Sequence, residues 1–133
     1  MKYLYIACRI LLALLFIMSG LDKLFHIFHP PVPPDGSLQS TLFHLLAGTG
    51  WMKLIGLAEL LGGLLVLYGG TVPFALCLLA PVTVNILAVS YLIMGGGKNA
   101  IAGLIVTALE LVLFYAYRGS FAAIWTTKAE PTR

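Results

Sequence analysis

Of the chain's 133 residues 60% are apolar and only 10% carry charge, whereas soluble domains average about 45–50% apolar and about 25% charged. Too few polar side chains remain to cover a water-exposed surface, which excludes an ordinary soluble domain and leaves lipid to do the covering. The formal charge of +3 needs no nucleic-acid partner, because it is explained by the distribution of Lys and Arg around membrane spans.

The composition and its patterning predict a single all-α transmembrane domain over residues 1–127. The expected form is an up-down-up-down four-helix bundle with a short interfacial helix between the first two spans and a disordered cytoplasmic tail at 128–133. A hydrocarbon core of about 30 Å needs about 20 helical residues. The first span is read as Tyr3 to Phe25. Lys2 ahead of the apolar run Ile10–Phe16 imitates a signal peptide, but no small-x-small cleavage pattern follows, so the helix is read as a retained anchor.

The run His29-Pro30-Pro31-Val32-Pro33-Pro34 forbids a continuing helix. Beyond it, Leu38, Leu42, Phe43, Leu45 and Leu46 recur at helical spacing, which predicts a short helix on the outer leaflet. Asp22, His26 and His29 follow one another at helical spacing and form a candidate cluster at the membrane interface, with His44 elsewhere in the loop. Imidazoles suit that interface. A metal would need a stronger motif, such as HExxH, so no metal site is expected.

The second span is read as Gly50 to Tyr68, the third as Thr71 to Met94 and the fourth as Asn99 to Tyr117. Gly69-Gly70-Thr71 reverses the chain between the second and third, and Pro73 falls in a first helical turn, where its missing donor costs least. Gly95-Gly96-Gly97 supplies the third connection. Lys2, Arg9, Arg118, Lys128 and Arg133 on the terminal side outnumber Lys23, Lys53 and Lys98 on the other, which predicts cytoplasmic termini and an inner-membrane location. Trp51, Tyr91, Tyr115, Tyr117 and Trp125 read as interfacial anchors.

Four polar residues fall at membrane depth: Arg9, Glu59, Asn85 and Glu110. Counting from the outer ends at roughly 1.5 Å per residue puts Glu59 and Asn85 about 12–14 Å down, and Glu110 and Arg9 about 16 and 22 Å down. Their faces repeat Arg9, Ala13, Phe16, Gly20 on the first span and Met52, Gly56, Glu59, Gly63 on the second. The third repeats Pro81, Asn85, Ala88 and the fourth Gly103, Thr107, Glu110. The expectation is a buried polar centre in which Arg9 neutralises Glu110, Glu59 bonds Asn85, and Pro81 kinks the third span. Interhelical glue, worth about 0.6 kcal/mol per bond, is the competing reading. Cys8 and Cys77 lack a CxxC spacing and sit in apolar sequence, so no thiol redox role is expected of them.

Several blocks resemble the DoxX family of small bacterial four-span membrane proteins: Arg9 with Phe16, Gly20 and Lys23, then Gly56-Leu57-Ala58-Glu59-Leu60-Leu61-Gly62-Gly63, and the glycine turn before the fourth span. The proline run, Ala80-Pro81-Val82-Thr83-Val84-Asn85-Ile86-Leu87 and Tyr117-Arg118 resemble a DoxX-like subgroup. The chain departs from that pattern at Ser90, where the subgroup has a histidine, and at Lys98, where many members have an acidic residue.

The family takes its name from a relationship to a subunit of an archaeal thiosulfate:quinone oxidoreductase, and some members are associated with sulfur or thiol redox and oxidative stress. The resemblance therefore implies a membrane subunit of a redox system. With no haem-ligating histidine pair in its spans, no iron–sulfur cysteine set and no nucleotide motif, the expected role is a non-catalytic subunit or scaffold. It would bind a partner membrane or redox protein, a second copy of itself, or a small lipophilic molecule such as a quinone. A quinone-linked oxidoreductase component using Glu59 and Asn85, and a small proton or solute carrier, are the alternatives.

Overall fold

A computed structural model describes residues 2–27, 34–125 and 130–132. The described residues are all-α, without strands. Helix α1 spans Lys2–Phe25, α2 Leu38–Thr49, α3 Trp51–Leu67, α4 Val72–Ala88 and α5 Ile101–Ala116. Among the described residues, three stretches are long and apolar enough to cross a membrane: Lys2–Phe25, Gly69–Ile93 and Gly97–Ala116. A fourth candidate arises only when α2 and α3 are taken together, and these two meet at a bend of 84°. His29, the prolines from Pro30 to Pro33, and half of the 128–133 tail lie outside the described residues.

Why α1 stops is visible before the prolines are reached. His26 adopts φ 52 and its N–H donates to the Asp22 carbonyl at 2.7 Å, the left-handed closure that commonly ends a helix. The chain re-enters helix at Ser37, whose hydroxyl oxygen accepts from the Ser40 N–H at 3.1 Å and caps α2. Gly50, at φ 77, then makes the sharp corner into α3. The short apolar helix predicted after the proline run is therefore present, set steeply against α3.

Helix α1 packs most extensively on α3; α3 also packs on α4, and α5 touches both α1 and α4. The shared core comprises Leu12, Ala13 and Phe16 from α1, Val66 from α3, Leu76 and Leu79 from α4, and Leu113 from α5. Large apolar side chains such as Leu14, Leu57, Leu64, Leu104 and Leu111 point outward. An apolar exterior of this kind is solvated by lipid.

The third predicted span holds together differently from expectation. α4 stays α-helical through Pro81 as far as Ala88, and the departure from α geometry comes afterwards, as a five-residue π turn over Val89–Ile93. Its buried face carries Leu76, Leu79 and Thr83, while Pro81 and Asn85 are exposed on the other side.

The end of α3 shows how backbone polarity is managed at a helix terminus. Carbonyls at a helix end have no partner within the helix, and each one left bare in hydrocarbon costs several kcal/mol. Thr71 Oγ1 donates to the Leu65 and Tyr68 carbonyls at 2.6 and 3.0 Å. Arg9 Nε and Nη2 donate to the Val66 and Leu67 carbonyls at 3.2 and 2.6 Å. Four consecutive acceptors are thereby satisfied.

Candidate functional site

The site is built on a close crossing of α1 and α3. A Cβ at Gly20 would lie 2.6 Å from the Gly56 carbonyl oxygen, and one at Gly56 would lie 2.8 Å from the Lys23 Cβ. Only glycine lets the backbones come this near. Across this contact Lys23 reaches back to Glu59: Lys23 Nζ lies 2.9 Å from Glu59 Oε2 and 3.1 Å from Oε1, and it donates to Ser19 Oγ at 2.7 Å. An ammonium has three donors, and all three are engaged.

Glu59 is wholly buried, while a quarter of the Lys23 side chain stays exposed. Desolvating two charges is costly, and close geometry with extra hydrogen bonds is what offsets it. The product is a net-neutral, strongly dipolar group in an apolar setting. Lys23, expected at the outer surface as a topology signal, is one of the residues that sequence reasoning left out of the polar centre; Thr83 and Ser90 are the others.

The other predicted pairings are corrected. Arg9 does not neutralise Glu110, because its guanidinium is drawn to the open end of α3, where two carbonyls need donors. Glu110 is buried on α5 and accepts a hydrogen bond from Thr83 Oγ1 at 2.8 Å. Glu59 does not bond Asn85, since both its oxygens face Lys23. The side chain of Asn85 has no hydrogen-bond partner among the described residues. Asp22 and His26 are joined through the backbone at the end of α1, and the third member of that cluster, His29, lies outside the described residues.

Glu59 and Asn85 nevertheless reach the same space. A cavity of about 210 Å³ is lined by Lys23, Glu59, Asn85 and Ser90, with Leu42 and Phe43 of α2 among its apolar walls. Ser90 belongs to the π turn, and its hydroxyl donates to the Ile86 carbonyl at 2.8 Å. A π turn re-aims side chains and is frequent at functional sites, and here it sets a buried hydroxyl beside the ion pair.

Next to this cavity runs a larger groove of about 1010 Å³, mostly apolar, with Trp51, Pro81, Val84, Phe114 and Phe121 along it and Arg118 also on its lining. Ile55, Val82 and Asn85 line both spaces. Cys77 faces the groove as a free thiol, and Cys8 is a buried one. The arrangement suits a molecule with a long apolar body and a neutral polar end: the groove takes the body, and the amide, hydroxyl and ion-pair dipoles meet the head.

The family model DoxX matches residues 4–92, more than half of the chain. No curated protein and no solved structure matches it. The matched stretch carries Lys23, Glu59, Asn85 and Ser90 together with the glycine crossing that assembles them, and Glu110 and Arg118 fall beyond it. On that match, and on helices apolar enough to cross a bilayer, this chain is a membrane protein belonging to the DoxX family.

Proposed function

We propose that the protein is a non-catalytic membrane subunit whose groove holds a small lipophilic molecule with a carbonyl or hydroxyl head, a quinone being the leading candidate, and presents it to a partner membrane protein. The observation that carries this reading is Asn85. An amide at membrane depth without a hydrogen-bond partner is costly, and this one stands where the apolar groove joins the polar cavity. A ligand carbonyl accepting from the Asn85 amide would remove that cost. The fit to a quinone rests on the same features: an apolar trough for an isoprenoid tail and neutral dipoles for the ring oxygens. When bound, a quinone supplies two-electron acceptor chemistry. The chain's own residues would orient it, Asn85 by donating to a ring oxygen and Phe114 and Phe121 by packing against its apolar body.

The reading places four helices across the inner membrane, up-down-up-down, with α2 along the outer surface and both termini cytoplasmic. Neighbouring helices support it, because their contacts run in opposite directions. Gly20 meets Gly56 while Arg9 meets Val66, and Thr83 meets Glu110 while a Cβ at Gly103 would meet Ile86 and Leu87. The 84° corner before α3 supports a surface position for α2.

The test is organic extraction of the protein purified in mild detergent, with mass spectrometry of the extract. A lipophilic molecule retained by the wild type and lost from Asn85→Leu is the expected result. Equal retention by both proteins, or an extract holding only bulk membrane lipid in bulk proportions, would overturn the assignment.

A further inference from the structure

At the other end of α1, some 20–30 Å from the Lys23–Glu59 pair at about 1.5 Å per residue, lies a separate space of about 400 Å³. Lys2, Tyr5, Ile6 and Arg9 line it from α1, and Ala116 and Tyr117 from the end of α5. Lys2, Tyr5 and Arg9 are successive turns of one helical face. Among the described residues no carboxylate lines this space, and neither Lys2 nor Arg9 has a carboxylate partner. The guanidinium is held in place by the Val66 and Leu67 carbonyls through Nε and Nη2, and Nη1 has no hydrogen-bond partner among the described residues.

The balance of charge there can be stated. The carboxyl ends of α3 and α5 each bring roughly half a negative charge and the amino end of α1 roughly half a positive one, beside two full positive charges from Lys2 and Arg9. A net excess of more than one positive charge remains. Two phenols complete a set of donors around it. Basic pockets between membrane helices, close to the surface, are suited to phosphate head groups, and a fixed guanidinium beside a mobile ammonium is a strong donor pair for phosphate oxygens.

From this geometry we infer that the Lys2–Tyr5–Arg9–Tyr117 pocket binds a phosphate-bearing anion, whose source is either an anionic phospholipid head group or a soluble phosphate. The site is independent of the groove. An anion in it would tie the ends of α1, α3 and α5 together through Arg9, which already bridges the first two.

Native mass spectrometry of the full chain in detergent tests this, with phosphatidylglycerol and phosphatidylcholine of identical acyl chains as probes. The wild type is expected to retain phosphatidylglycerol in preference. Lys2→Gln, at an exposed position that bears no core contact, should weaken that retention about fivefold, the effect of one basic residue, and Lys2→Arg should preserve it. Displacement of the lipid by millimolar inorganic phosphate would assign the site to a soluble phosphate, and resistance to displacement would assign it to the lipid. Either result supports a phosphate site. Equal retention of the two lipids by the wild type, or unchanged retention by Lys2→Gln, overturns it.

Discussion

At the scale of single residues, the Lys23–Glu59 pair dominates, and its two halves are unequal. Glu59 is wholly buried, whereas Lys23 keeps a quarter of its side chain exposed and has a stem long enough to carry its ammonium toward the interface. Lys23→Met should therefore cost about 3–5 kcal/mol, the range for orphaning a buried charge, and Glu59→Gln distinctly less. Lys23→Met combined with Glu59→Met should recover most of the loss. Denaturant unfolding in detergent micelles reads all three, and equal losses from the two single variants would contradict the asymmetry. Thr83→Val deletes the donor to Glu110 and should cost about 1 kcal/mol, with Thr83→Ser close to neutral. That the bilayer-depth carboxylates would be engaged was legible in the sequence; with whom was not. Arg9 is the expected partner of Glu110 on charge and depth, yet its guanidinium caps α3 and the smaller donor Thr83 faces Glu110. Lys23 reads from the sequence as an outer-side topology charge, and only the Gly20–Gly56 contact, visible in outline as small residues on two faces, shows that it can reach inward.

At the scale of elements, the helix limits were readable to within a few residues, because apolar length and the glycine turns set them. The terminations were less so. His26 in the left-handed region, the π turn at Val89–Ile93 and the continuity of α4 through Pro81 arise from tertiary fit, which no local pattern encodes. The α1–α3 crossing offers the sharpest element-level test. Gly20→Val would drive side-chain atoms into the Gly56 carbonyl and the Leu60 N–H, both backbone groups that cannot swing aside. Separation of the helices should cost about 1–3 kcal/mol from overpacking and also break the Lys23–Glu59 pair, for a combined loss above that of Lys23→Met. Gly48→Ala on α2 is the matched control. Nothing lies within 4 Å of a Cβ there, so alanine should stabilise α2 by up to about 1 kcal/mol through its helix propensity. Thermal unfolding of the two variants in one detergent compares them directly.

At the scale of the whole molecule, the proposed topology rests on two independent lines that need not have agreed. One is charge: Lys2, Arg9 and Arg118 gather at one end, and Lys53 and Lys98 belong to the other, a bias that favours cytoplasmic termini. The engagement of Lys23 by Glu59 strengthens that bias, because it withdraws one positive charge from the outer count. The other is geometric, since the short turn at Gly69–Thr71 and the glycine connection before α5 leave adjacent helices no option but to reverse. The weak point is α3, whose 17 residues reach about 25 Å at 1.5 Å each, short of a full hydrocarbon core. If α2 lies in the headgroup layer, the bilayer must thin around α3, or Trp51 and Lys53 must sit as its interfacial anchors. Single cysteines in a Cys8→Ser, Cys77→Ser background test this in intact cells with a membrane-impermeant maleimide. Gly36→Cys and Gly97→Cys should label from outside, Gly70→Cys and Gly119→Cys only after lysis. Labelling of Gly70→Cys from outside would mean that α3 does not cross and that α2 and α3 form a re-entrant pair.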